Sequence, residues 1–246
     1  MSGRISNIRA VTAKELHSYF ASPVAYVFIV IFLILMGFFT FMLGGFFDRD
    51  EASLSAFFLW HPWLYMFLVP SVGMRLWAEE RSSGTLELLF TLPVTALQAI
   101  AGKYLAGSVF LGLALLLTFP MVITVAVLGD PDYGVIVCGY IGSFLVAGAF
   151  LAVSCLTSSF TQNQVISFII SLVVCLLLIL AGWPPVTDMF VKWAPSWFVG
   201  FIAGFSIIPH FEALQRGVID LRDIAYYLSL ILFSLFTTSV ILHSRR

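Results

Sequence analysis

Ala78-Glu79-Glu80-Arg81-Ser82-Ser83-Gly84-Thr85-Leu86-Glu87-Leu88-Leu89-Phe90-Thr91-Leu92-Pro93 is a polar island between two long apolar runs. It gathers four charges in a chain that is 61% hydrophobic and only 10% charged. With a mean hydropathy of +1.04, the composition lies far from that of soluble domains. The chain therefore reads as an all-α polytopic membrane protein. Its 246 residues fill a single membrane domain, 1–246. A net charge of −1 leaves no electrostatic footprint for nucleic acid. Cys138, Cys155 and Cys175 all fall in apolar runs and read as small buried hydrophobes.

A membrane-crossing helix needs about 20 apolar residues. Working outward from the island, the runs 24–46 and 57–77 precede it, and 102–128 follows it. The runs 135–156, 165–181 and 224–243 come after, for six expected spans. Asp48, Arg49, Asp50 and Glu51 close the first run, and Gly129-Asp130-Pro131-Asp132 closes the third. No Asp, Glu, Lys or Arg occurs from Tyr133 to Thr187, and the stretch 158–164 reads as the polar joint between two spans there. The stretch 193–211 is interrupted by Pro195, Gly200, Gly204, Pro209 and His210. Its clean core, 198–208, is too short to cross. The region 183–223 therefore reads as an interfacial or re-entrant hairpin before the sixth span.

Charge fixes the expected sidedness. Arg4, Arg9 and Lys14 precede the first span, and Arg245 and Arg246 follow the last. Arg75, Arg81 and Lys103 flank the second-to-third connection, whereas 48–51 and 130–132 are acidic. The bias of basic residues toward the inner side puts both termini in the cytoplasm. Seven spans would put one basic end outside. Trp60, Trp63, Trp183, Trp193 and Trp197 are expected at the outer interface and Trp77 at the inner one. Residues 1–22 alternate Ile5, Ile8, Val11, Leu16, Tyr19 and Phe20 with Arg4, Arg9, Lys14, Glu15 and His17. This spacing predicts an amphipathic interfacial helix on the cytoplasmic leaflet, rather than a cleavable signal peptide.

Ionisable residues inside spans are the usual pointers to carriers and intramembrane enzymes. Only His61 and Arg75 are counted within a run, both near an end, and His61 reads as interfacial beside Trp60 and Trp63. No paired aspartates, Ser/His pair, zinc spacing or opposed histidines for haem are present. The expected chain performs no bond chemistry and binds no metal or cofactor itself. Energy for any transport must then enter from outside. The island supplies a place. Gly84 can break the descending helix, Ser82, Ser83 or Thr85 can cap a new one, and Glu87 suits its first turn. Leu86, Leu88, Leu89, Phe90 and Leu92 give it an apolar surface, and Pro93 stops it. Thr95-Ala96-Leu97-Gln98 matches a capping box that begins the third span. Glu79, Glu80 and Arg81 are the charges available to a soluble partner.

The stretch 75–94, followed by Gly102-Lys103-Tyr104-Leu105, resembles the signature of ABC-2 type permeases, the transmembrane subunits of ATP-binding-cassette exporters. Lys14-Glu15-Leu16, with Tyr19-Phe20-Ala21-Ser22-Pro23-Val24-Ala25-Tyr26, is similar to the branch of the gliding-motility permease GldF and, more distantly, to NosY. The resemblance implies six spans, an N-terminal interfacial helix, an extracytoplasmic hairpin and a coupling helix over 83–92. That helix would dock on a cytoplasmic ATPase, with Glu79, Glu80 and Arg81 at the hinge above it.

No G-x-x-x-x-G-K-[ST] occurs in this chain. ATP and Mg are accordingly expected on two copies of a separate ATPase subunit. A second permease subunit, as homodimer or heterodimer in a bacterial inner membrane, completes the expected complex. The function implied is ATP-driven export. The alternatives are transmission of ATPase motion to an extracytoplasmic partner without transport, and an ATPase-independent channel or scaffold.

Overall fold

The computed structural model describes residues 2–47, 51–86, 94–191 and 196–244, which are helical with short connections. No strand occurs among the described residues. Helix α1 (Ser2–Ala21) ends at Ser22, and α2 (Pro23–Phe38) begins at once. Ser22 Oγ accepts from the Val24 amide at 3.3 Å, and Pro23 occupies the first turn, where its missing N–H leaves no gap. A π-helical turn over Phe39–Leu43 extends α2 into a 21-residue apolar rod, Pro23–Leu43.

The expected span 57–77 is three helical pieces rather than one. These are α3 (Ser55–Leu59), α4 (His61–Gly73) and α5 (Arg75–Ser82), joined through Trp60 and Met74 in helical backbone conformation. Pro62 and Pro70 each withhold an amide from the helical ladder. At the second joint a side chain from a distant helix enters. Ser158 Oγ accepts from the Trp77 and Ala78 amides at 3.0 Å each and donates to the Met74 carbonyl at 2.9 Å. Insertion of a hydroxyl into the ladder is a recognised cause of kinks.

The capping box is present at the start of α6 (Ala96–Leu116). Gln98 N donates to Thr95 Oγ1 at 3.4 Å, and Thr95 N donates to Gln98 Oε1 at 3.0 Å. A turn then leads into α7 (Pro120–Leu128), so a proline divides what hydropathy reads as one span, 102–128. Asp132 Oδ1 accepts from the amides of Gly134 at 2.8 Å and Val135 at 3.2 Å, starting α8 (Tyr133–Phe160). Helix α8 outruns its expected end at 156, so Ser158 and Ser159 are buried helical residues instead of part of a joint. Asn163 caps α9 (Gln164–Leu180). The region 183–223 contains α10 (Pro184–Val191), α11 (Ser196–Ala203) and α12 (Ile207–Gln215), and α13 (Leu221–Ser244) ends the described chain. Trp193 and Pro195, used in the sequence argument for a hairpin, lie outside the described residues.

Four stretches are long and apolar enough to cross a membrane: Pro23–Leu43, Ala96–Leu128, Tyr133–Phe160 and Leu221–Ser244. The protein is a helical membrane protein. Helix α9 is apolar but spans 17 residues. Helix α8 is the hub. In its most apolar window 67% of the residues are buried, against 28% in each of the other three. Helices α4, α5, α6, α9, α12 and α13 all pack on it. Its Gly139, Gly142, Ser143, Ala147, Gly148, Ala149, Ala152 and Ser154 keep its surface thin, as close helix packing in lipid requires.

Two sequence expectations change here. Trp77 is fully buried rather than interfacial, its indole N–H donating to Cys155 Sγ at 3.2 Å. His61 is fully buried rather than interfacial, packed against the Phe57, Phe58 and Tyr65 rings with Nδ1 3.1 Å from the Phe57 carbonyl. The three cysteines are buried and unpaired, as their positions in apolar runs predict.

Candidate coupling node

The polar island is rooted in α5. Arg75 and Glu79 are one turn apart on it, and Arg75 Nε lies 3.0 Å from Glu79 Oε2 at a half-exposed position. This pair contributes little to stability. Glu80 behaves differently. Its Oε1 lies 2.9 Å from Lys103 Nζ, and Glu15 Oε1 lies 3.1 Å from the same nitrogen. The Lys103 side chain is only 3% exposed, Glu80 16% and Glu15 18%. The ammonium also sits over the Trp77 ring, 5.3 Å from its centroid. One lysine on α6 thus ties together α1, α5 and α6.

Local sequence explains the convergence. Trp77 and Glu80 are three residues apart and share a face of α5. Gly102 lets α1 approach α6 closely: a Cβ there would fall 2.7 Å from Val11 Cβ. Thr12 Oγ1 donates to the Gly102 carbonyl at 3.2 Å across that contact. Ile8, Val11, Thr12, Glu15, Leu16 and Tyr19 are partly buried, whereas Arg9, Lys14 and His17 are exposed. The expected two-faced helix is therefore real, and its inner face rests on α6. Only the backbone of Arg4 is described, within α1. The Tyr19 ring stacks on Phe110 at 5.3 Å. Burial first, then the Glu15 carboxylate, raises the Tyr19 hydroxyl well above its usual range, so it stays protonated.

Below the node the chain turns. Helix α5 ends at Ser82, and Ser83 Oγ donates to the Glu79 carbonyl at 2.8 Å. Gly84 has φ +70°, a conformation natural to glycine and strained for other residues. The Ser83 and Thr85 hydroxyls lie 2.9 Å apart, and Thr85 and Leu86 are already helical again. So Gly84 breaks the helix as expected, and Ser82 and Ser83 bond back to carbonyls of the helix they end. Glu87, Leu88, Leu89, Phe90, Leu92 and Pro93 lie outside the described residues.

The structure brings Glu15 and Glu80 together and leaves Glu79 at the surface with Arg75. Sequence reasoning missed Lys103, counting it as a marker of the cytoplasmic side. The signal was available: a cap at Thr95 places residue 103 two turns inside a helix, where a lone cation needs partners. It also missed a second polar contact. His210 Nδ1 lies 2.6 Å from Asp223 Oδ1, with the imidazole stacked 4.1 Å from Tyr226. No group of three His, Cys, Asp or Glu side chains placed to hold a metal occurs among the described residues. The node is suited to mechanical continuity, since three helices share one desolvated charge cluster. No model of a known protein family matches this chain, and no curated protein matches it in sequence.

Proposed function

We propose that this chain is the membrane subunit of an ATP-driven complex, and that a separate cytoplasmic ATPase drives it through the segment that starts at Gly84. In this reading the spans are α2, α3–α5, α6–α7, α8, α9 and α13, with both termini cytoplasmic and α10–α12 outside. The 17 residues of α9 are near the lower limit for crossing.

The observation that carries the proposal is the Lys103–Glu15–Glu80 node directly above the Gly84 turn. A push on the residues after Gly84 reaches α5, and the node hands it to α1 and α6. The Ser158 contact hands it to the hub α8. Two chains acting across a dimer axis would then open an outward path. Purification in mild detergent should recover a nucleotide-hydrolysing chain with this one. Leu89→Asp should abolish that recovery and the stimulated ATP turnover while leaving the melting temperature unchanged. Intact assembly and turnover in Leu89→Asp and Glu87→Lys would sink the assignment.

A second reading, transmission without transport, is favoured by one contact. Phe211 and Leu214 of α12 are buried against α8, where a Cβ at Gly142 would fall 2.9 Å from Leu214 Cβ. Motion of the hub would therefore reach the outer helices directly. This reading expects an extracytoplasmic protein to co-elute with the complex. Cleavage within 183–223 should release it and leave ATPase binding intact.

A further inference from the structure

We propose that the cleft between the α1–α2 joint and the α4–α5 joint binds a phospholipid whose headgroup carries both a phosphate and a primary amine, of the phosphatidylethanolamine class. The cleft adjoins the coupling node through Glu15, and its placement at headgroup level rests on the topology proposed above, whereas its lipid preference is read without any ATPase. The cleft encloses about 470 Å³, within the range of small-molecule sites. Its lining divides by polarity. Phe28, Val72, Leu76 and Phe110 are buried and form an apolar floor. Glu15, Ser18, Ser22, Arg75, Glu79 and, from α9, Gln164 are among the cleft's polar side chains. An amphiphile with a compact charged end satisfies both parts.

The arrangement of charge selects the headgroup. Arg75 bonds Glu79 through Nε alone, and its two terminal nitrogens have no hydrogen bond to described residues. Ser22, Val24 and Ala25 bring the start of α2 to the same cleft, but Pro23 has no amide and those of Val24 and Ala25 already bond Ser22. The guanidinium fork of Arg75 is therefore the group that favours a phosphodiester. The Glu79 side chain is 50% exposed at the cleft, whereas Glu15 is already committed to Lys103. Glu79 bonds Arg75 through Oε2 alone, so its Oε1 is the oxygen placed to receive an ammonium. A trimethylated choline has no N–H to give it, and a glycerol headgroup brings no positive charge. In the proposed topology the cleft lies at the cytoplasmic ends of α2 and α4, at headgroup level.

The test uses the full chain, delipidated in mild detergent and offered equal amounts of phosphatidylethanolamine, phosphatidylcholine and phosphatidylglycerol. Native mass spectrometry then counts the retained lipid. One ethanolamine lipid per chain is expected, in excess of the other two by about tenfold, the scale of one charge-assisted hydrogen bond. Arg75→Gln should reduce retention of all three by a similar factor, and Arg75→Lys should keep most of it. Glu79→Gln should retain phospholipid but lose the preference for ethanolamine over choline. Equal retention of the three lipids by the unaltered chain would overturn the proposal. So would unchanged retention in Arg75→Gln, or equal losses in Arg75→Gln and Arg75→Lys. Displacement of the lipid by soluble phosphoethanolamine as readily as by the lipid itself would overturn the lipid and point to a free phosphate ester.

Discussion

Lys103 shows what a single ionisable residue costs and gives inside this protein. Removing its ammonium leaves Glu15 and Glu80 facing each other while largely withdrawn from water. Breaking such a cluster from one side costs about 3–5 kcal/mol, whereas replacing every member by neutral groups is often close to neutral. Lys103→Met should therefore lower stability by that amount in a detergent melt. The triple replacement Lys103→Met, Glu15→Gln, Glu80→Gln should recover most of it while weakening any coupling between α1 and α5. If the single variant melts like the unaltered chain, the node has no structural weight. Arg75→Ala, by contrast, removes a half-exposed one-turn pair and should shift stability by no more than about 1 kcal/mol.

Helix junctions carry the next set of consequences. Ser158→Ala removes an acceptor from two buried amides and a donor from the Met74 carbonyl. The expected cost is about 1–3 kcal/mol, with faster amide exchange at Trp77 and Ala78 as the local signature. Gly102→Ala puts a Cβ 2.7 Å from Val11 Cβ and should loosen α1 by about 1–3 kcal/mol, read as raised exchange over residues 2–21. The sequence announces several of these boundaries. Thr95 is a side-chain cap read from local spacing, whereas Asp132 and Asn163 were read only as turn and joint residues and Ser22 not as a cap. The joint at Met74 is not visible in this way, because the hydroxyl beside it comes from a residue 84 positions later. The proline break before α7 was masked by hydropathy, since Pro120 lies in an otherwise apolar run. Within the candidate node, the Gly84 turn was legible from φ preference. Glu80 was read as a charge open to a soluble partner, Glu15 as part of the polar face of α1 and Lys103 only as a marker of sidedness, because their convergence depends on how three helices pack.

At the level of the whole chain, one small-residue helix gathers α4, α5, α6, α9, α12 and α13, and its closely spaced Gly, Ala and Ser are visible in the sequence of α8. What periodicity cannot supply is which helices choose that hub, because all of them are apolar. Helix α12, which packs on α8, is also tied to α13 through polar groups. Asp223 holds His210, and the Tyr226 and Tyr227 hydroxyls donate to the Phe205 and Ile207 carbonyls at 2.6 and 3.2 Å. Asp223→Ala should free this corner, with raised amide exchange over 205–215 and little change in α8. Unchanged exchange there would mean that apolar packing alone positions α12. The buried thiols of Cys138, Cys155 and Cys175 have a practical consequence at this scale. Membrane-impermeant sulfhydryl reagents should leave the folded native chain almost unmodified, so it serves as its own cysteine-free background. If the proposed topology holds, a cysteine placed at Lys14 should then be labelled only after the cytoplasmic face is opened. One placed at Asp188 should react from outside in intact cells, which makes the sidedness of every connection readable without first removing a native residue.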